Sequence, residues 1–204
     1  MATPIFARPS TILGDVEKHY RNAETAKMDV SKTLKLSLLD QEKKTEGTIK
    51  IKKGGYLRWE SLAPTHSLVL ADGKYIWLVD YMDGEDEKPN IIKATNPKKS
   101  QPHAIVAFLL GQGRISSDFI VTEEKEVDSQ HVKLDLKPKI KGDEVQWLTL
   151  VIDKGNNEIE ELSFQDSVGN VTELVFKNVQ FDTEINDKVF KFSPPKGAEI
   201  TVLR

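Results

Sequence analysis

The residues that could do chemistry are few and scattered. The chain of 204 residues has no cysteine, and its four histidines, His19, His66, His103 and His131, stand far apart. None is spaced with another histidine or a carboxylate in the way metal ligands are, so the sequence marks no metal site. Carboxylates are plentiful, with 32 Asp and Glu against 29 Lys and Arg, yet no pattern pairs two of them for acid–base work. There is no Gly-x-Ser-x-Gly nucleophile turn, no phosphate-binding loop and no dinucleotide glycine pattern. The acidic run 80–89 lacks the alternating Asp order of a calcium loop and reads as a solvated hairpin tip. No catalytic residue and no cofactor is therefore assigned, and an enzyme is not expected. A net charge of −3 provides no basic field to hold nucleic acid. Bulky apolar side chains stand at Leu57, Trp59, Leu68, Leu70, Trp77 and along the run 102–110.

These residues share one stretch, 47–110. Residues 47–53 alternate between Ile49 and Ile51 on one face and lysines on the other, the period of a half-buried strand. Gly54-Gly55 break it, and residues 56–60 resume the alternation, with Leu57 and Trp59 opposite Arg58 and Glu60. Pro64 ends that strand. Residues 67–71 and 75–79 form the next two, joined through Asp72-Gly73, a pair suited to the positive φ of a tight hairpin turn. Pro102 opens and Gly111 closes a short helix that is apolar on nearly every side. Such a helix must be covered, either as a plain core helix or as a plug in the mouth of a lipid cavity.

Around this stretch the chain reads in order as follows. Residues 1–10 form a loose tail. Ser10 caps a helix over 11–23, whose stripe of Ile12, Val16 and Tyr20 packs on a sheet, while a lid role for it rests on a resemblance to a known family. A first strand covers 28–39 and a polar turn 40–46. A short strand covers 90–95. Further strands cover 118–127, 130–136, 145–153, 158–165 and 170–181, with one helical turn at 186–190 and a last strand or tail at 198–203. About ten antiparallel strands and a few short helical segments give a mainly β (α+β) fold. It is expected to be a strongly curved antiparallel sheet forming an incomplete barrel, with short helices over the open side as a lid. Residues 1–204 form a single domain. No run approaches the roughly 18 apolar residues of a membrane span.

The order of these pieces resembles the LolA-type periplasmic carriers of outer-membrane lipoproteins. The match is carried by Gly47-Thr48-Ile49-Lys50-Ile51-Lys52, by Leu57-Arg58-Trp59, and by the Leu68-to-Lys74 hairpin with Asp72-Gly73. The aromatic strand from Tyr75 and the segment Ser193-Pro194-Pro195-Lys196-Gly197 complete it. The resemblance implies the half-barrel fold and a chaperone role in lipoprotein transport and outer-membrane biogenesis. It implies a lipid-binding cavity walled by Ile49, Ile51, Leu57, Trp59, Leu68, Leu70 and Trp77. Ile105, Phe108 and Leu109 would fill that cavity when it is empty. Acylated lipoproteins would be received from an inner-membrane ABC transporter and passed to an outer-membrane acceptor, where one is present. The carrier would be periplasmic, its signal peptide removed, and a monomer.

Relatives carry Arg-Pro after the lysine of the first wall strand, and that arginine is held to latch the lid. Here Lys53-Gly54 stands in its place, and a lysine lacks the planar fork of arginine, so a weaker latch is expected at Lys53. The same half-barrel also serves in periplasmic regulators as a non-enzymatic lipid-sensing or protein-interaction domain. That is the alternative role.

Overall fold

The computed structural model describes residues 10–82, 88–94, 108, 113–140 and 145–203. Helix α1 spans Thr11–Asn22, and Ser10 caps it by accepting a hydrogen bond from the Leu13 amide at 3.3 Å. Leu13, Val16 and Tyr20 bury its apolar stripe. Glu17 is also buried, because Ser116 satisfies both its oxygens: the Ser116 amide donates at 2.7 Å and its hydroxyl at 2.9 Å. Ser116 belongs to a one-turn helix, α2 (Ile115–Asp118), which sequence periodicity did not reveal. Ser10→Ala is expected to cost about 1 kcal/mol, the worth of one capping bond, read as a lowered midpoint in a urea melt.

Twelve strands make one sheet. They are β1 (Thr25–Leu36), β2 (Gln41–Lys52), β3 (Tyr56–Ala63), β4 (Ser67–Asp72), β5 (Ile76–Asp80), β6 (Asn90–Ala94), β7 (Phe119–Glu126), β8 (His131–Pro138), β9 (Val145–Asp153), β10 (Glu158–Asp166), β11 (Val171–Phe181) and β12 (Ile200–Leu203). Their spatial order is β12-β6-β5-β4-β3-β2-β1-β11-β10-β9-β8-β7. Two runs of sequential hairpins thus meet where β1 pairs with β11. The sheet is curved and does not close, leaving β12 and β7 at its ends. A 3₁₀ turn at Asp187–Phe190 stands at the expected helical turn.

Three expectations change in detail. The polar stretch 40–46 is mostly strand, and the chain reverses at 37–40, where Asp40 has φ +49°. The end of the β1–β2 hairpin reaches beyond the core, so Gln41 to Glu46 need no apolar face and Leu38 and Leu39 stay exposed. Among the described residues strands number twelve, against the roughly ten expected. Finally, β12 runs parallel to β6, with Ile200 beside Ile91, so the sheet is not wholly antiparallel. The expected helix 102–110 lies outside the described residues except at Phe108.

Strand register defines two faces. The inner face is the one on which α1 packs. Ala26, Met28 and Val30 of β1, Ile49 and Ile51 of β2 and Leu57 of β3 lie there in one buried cluster with Leu13, Val16 and Tyr20. The cluster continues through Leu174, Leu162, Leu150 and Leu134 to Phe119 on β7. A second, smaller cluster of Leu68, Leu70, Trp77, Val79 and Ile91 lies on the outer face of β4–β6, packed against Tyr75, Tyr81, Phe192 and Ala198.

Candidate functional site

Pairing across the first arm fixes which side chains can share a cavity. Leu57 pairs with Ala71 and Ile51, while Trp59 pairs with Val69 and Ile49. Directly paired residues point to the same face, so Ile49, Ile51, Leu57, Trp59 and Val69 stand together on the inner face. Leu70 pairs with Arg58 and Leu68 with Glu60. Leu68, Leu70 and Trp77 therefore leave the expected single wall. They fill the outer cluster, where the chain after the 3₁₀ turn covers them with Phe192 and Ala198. The Trp77 indole donates to the Asp72 carboxylate at 3.1 Å. Burial and the acceptor together anchor that ring.

The inner face keeps apolar side chains that burial does not complete. Trp59, Val69, Val121, Phe164, Val179, Phe181 and Ile12 are partly buried against the inner cluster. Phe108 is 2 % exposed, and its ring centre lies 5.1 Å from that of Tyr20 on α1. Ile105 and Leu109 lie outside the described residues. Toward the hairpin end the inner face also carries polar groups beside Leu34 and Phe164. Ser61 and Thr172 are buried there, and Lys32 stands between Thr45 and Leu174 in the ladder. The Lys32 ammonium reaches back to 5.9 Å from the Trp59 ring centre. Burial pushes its pKa below the ordinary lysine value.

Lys53 sits at the β2–β3 turn. Its ammonium meets the Glu24 carboxylate at 2.7 Å and its amide donates to the Glu24 carbonyl at 2.9 Å. Both side chains are exposed, so this pair ties the turn to the start of β1 with little energy.

The outer face holds the polar groups that sequence spacing left apart. Arg58 donates from Nε and a terminal nitrogen to one Glu60 oxygen at 2.9 and 2.8 Å, and to the Val189 carbonyl at 3.3 Å. His66 meets the other Glu60 oxygen at 3.2 Å and stacks on Tyr81 with ring centres 4.0 Å apart. Burial raises the pKa of Glu60, but bonds from Arg58 and His66 outweigh it and hold the carboxyl below its usual range. Elsewhere, His131, Asp153 and Glu160 converge from β8, β9 and β10 with their donor atoms within 4.8 Å of one another. His131 Nδ1 bonds Asp128 at 2.9 Å and Nε2 faces Glu160 at 3.1 Å. Carboxylates thus engage both ring nitrogens, and the Asp128 bond raises the His131 pKa. This is an ion-pair cluster that only the fold assembles.

Comparison with known proteins agrees with this fold. A Pseudomonas putida outer-membrane lipoprotein carrier protein is 30 % identical over 157 residues, covering 76 % of this chain and 71 % of that one. A protein of the same description from Hahella chejuensis is 25 % identical over 181 residues, covering 88 % and 83 %. The crystal structure of an uncharacterized conserved protein from Thermus thermophilus shares the fold, with a TM-score of 0.57 at 16 % identity over 95 % of this chain and 98 % of that one. The family model for the outer membrane lipoprotein carrier protein LolA matches residues 21–193. The chain belongs to the LolA family.

Proposed function

We propose that the protein is a periplasmic carrier that holds the acyl chains of lipoproteins on the inner face of its half-barrel and works without catalysis. The observation that carries this reading is the set of half-buried apolar side chains on that face, Trp59 and Val69 foremost, set against a fully buried cluster. An unclosed sheet that leaves such a surface facing its own helix is built to take apolar matter. The wall comprises Ile49, Ile51, Leu57, Trp59 and Val69. Phe108 occupies the same face against Tyr20 and competes with the acyl chains for it.

Each methylene moved out of water contributes about 0.8 kcal/mol, so several acyl chains bind tightly. A carrier must still give them up, and contacts already made on the empty inner face reduce the net gain on loading. We place the protein between an inner-membrane ABC transporter that releases lipoproteins and an outer-membrane acceptor, acting as a monomer. Support for this placing comes from the family and the named relatives.

The test is a titration with a triacylated lipopeptide, read by tryptophan fluorescence, with the deacylated peptide as control. Trp59 lies on the inner face, Trp77 in the outer cluster, and Trp147 pairs with Gln165 on the outer side of β9. The fluorescence change is expected to saturate with the acylated peptide alone and to disappear in Trp59→Phe, whose affinity, read by calorimetry, stays close to wild type. A signal that survives in Trp59→Phe would place binding elsewhere.

A further inference from the structure

On the inner face, Lys32 stands half-buried with no paired anion among the described residues. Met28, Val30 and Lys32 follow one another at the strand period of two, and the first two are in the buried inner cluster. Lys32 extends the same row, half-buried, between Thr45 on β2 and Leu174 on β11. Among the described residues no carboxylate pairs with it. Its nearest aromatic partner is Trp59, 5.9 Å from ammonium to ring centre. The rung between them is Val30–Gly47–Ser61, where Gly47 contributes no side chain. A half-buried ammonium without an anion is costly, and replacing it with an apolar residue would relieve that cost. The inner face is therefore apolar with a polar patch set into it, because Leu34 and Phe164 resume the apolar surface beyond Lys32. Ile51 and Leu57 form an apolar end, Trp59 follows, and Lys32 lies beyond it among the buried polar residues Ser61 and Thr172.

We propose that Lys32 is an anchor for an anionic head group, so that the inner face takes acyl ligands whose polar end bears a carboxylate or a phosphate. Acyl chains lie over Trp59, Leu57 and Ile51, and the ammonium donates charge-assisted hydrogen bonds to the anion. This rests on the inner face being the acyl site and adds a ligand class to it. It makes the protein a selector of amphiphiles by head-group charge.

The experiment compares palmitate, monopalmitoyl phosphatidylglycerol and neutral monopalmitoyl glycerol, each below its micellar concentration, on the wild type, Lys32→Met and Lys32→Arg. Binding is read by Trp59 fluorescence and calorimetry. Hydrogen bonds to charged groups are worth enough for the wild type to prefer an anionic ligand by about ten-fold or more. Lys32→Met should erase that preference while remaining folded by circular dichroism, and Lys32→Arg should keep it. Preference for palmitate alone assigns a carboxylate, and preference for the phosphatidylglycerol assigns a phosphate. Either supports the anchor. Equal binding of the neutral ligand by the wild type, or a preference unchanged in Lys32→Met, overturns it and leaves the carrier reading standing. Failure of every ligand, the triacylated lipopeptide included, overturns both. Should Lys32→Met fold poorly, Lys32→Gln provides the same comparison.

Discussion

Gly47→Ala is expected to lower stability by about 3 kcal/mol, a fall of roughly 6–12 °C in melting temperature for a domain of this size. Gly47 lies in β2 at the irregularity in its pairing with β3, where Glu46 faces Ala63 but Gly47 already faces Ser61. A methyl group at residue 47 would stand 2.2 Å from the Glu60 carbonyl oxygen and 3.0 Å from the Glu60 carbonyl carbon and Ser61 Cα. All three are backbone atoms of the neighbouring strand, so no side-chain rotation relieves the clash and the strands must part. Parting them disturbs Trp59 and the carbonyl of Glu60 together. Gly14→Ala is the internal control. Gly14 is exposed within α1, and an added methyl meets nothing within 4 Å. That change should raise stability by about 0.5–1 kcal/mol, because alanine is the better helix former. Equal calorimetric melting temperatures for the two variants would show that the β2–β3 irregularity accommodates a side chain.

The same glycine shows how the sequence could be read and where it could not. Alternation in Ile49-Lys50-Ile51 and Leu57-Arg58-Trp59 placed both pairs on one face, and pairing in the fold agrees, because a strand with a lysine face has only one side to bury. The capped helix over Thr11–Asn22 was legible for a similar reason: Ser10 and the Ile12, Val16, Tyr20 stripe leave one amphipathic solution. Strand β4 has no such asymmetry. Leu68-Val69-Leu70-Ala71 are apolar on both faces, and a wall that takes Leu68 and Leu70 together with Leu57 and Trp59 joins residues that point apart. Covering the outer half falls to Phe192 and Ala198, far along the chain. Nothing near β4 announces that cover. The alternation of Phe190 and Phe192 before Pro194-Pro195 was the available sign that an extended segment needed an apolar surface.

Polar contacts were less legible still. The Glu17–Ser116 bonds join α1 to a single helical turn whose four residues are too few for any period to show. Arg58, Glu60 and His66 gather because β3 and β4 reverse around Pro64, with the 3₁₀ turn bringing the Val189 carbonyl alongside. Lys32 was hidden by its type. A lysine in an alternating strand is ordinarily assigned to solvent, and only the ladder with Thr45 and Leu174 puts it beside the inner cluster.

Trp59→Ala and Trp77→Ala should have opposite signatures, although both residues are tryptophans of one sheet. Trp59 is half-buried on the inner face, and an acyl chain laid across it would remove on the order of 80 Å² of apolar surface from water, about 2 kcal/mol. Its loss is expected to weaken binding of the triacylated lipopeptide about thirty-fold, because ring and ligand no longer share that contact. Stability should change less, since protein buries the ring only in part. Trp77 is 8 % exposed, packs against Phe192 with ring centres 5.3 Å apart, and donates its indole hydrogen to Asp72. Truncating it should cost about 3–5 kcal/mol of stability and leave the affinity of the folded fraction close to wild type, because no ligand on the inner face touches it. Urea melts and calorimetric titrations on the two variants separate the cases. Should Trp77→Ala lose affinity while Trp59→Ala keeps it, the acyl site would move to the outer face, beneath the chain that follows the 3₁₀ turn. The inner apolar surface would then be core alone.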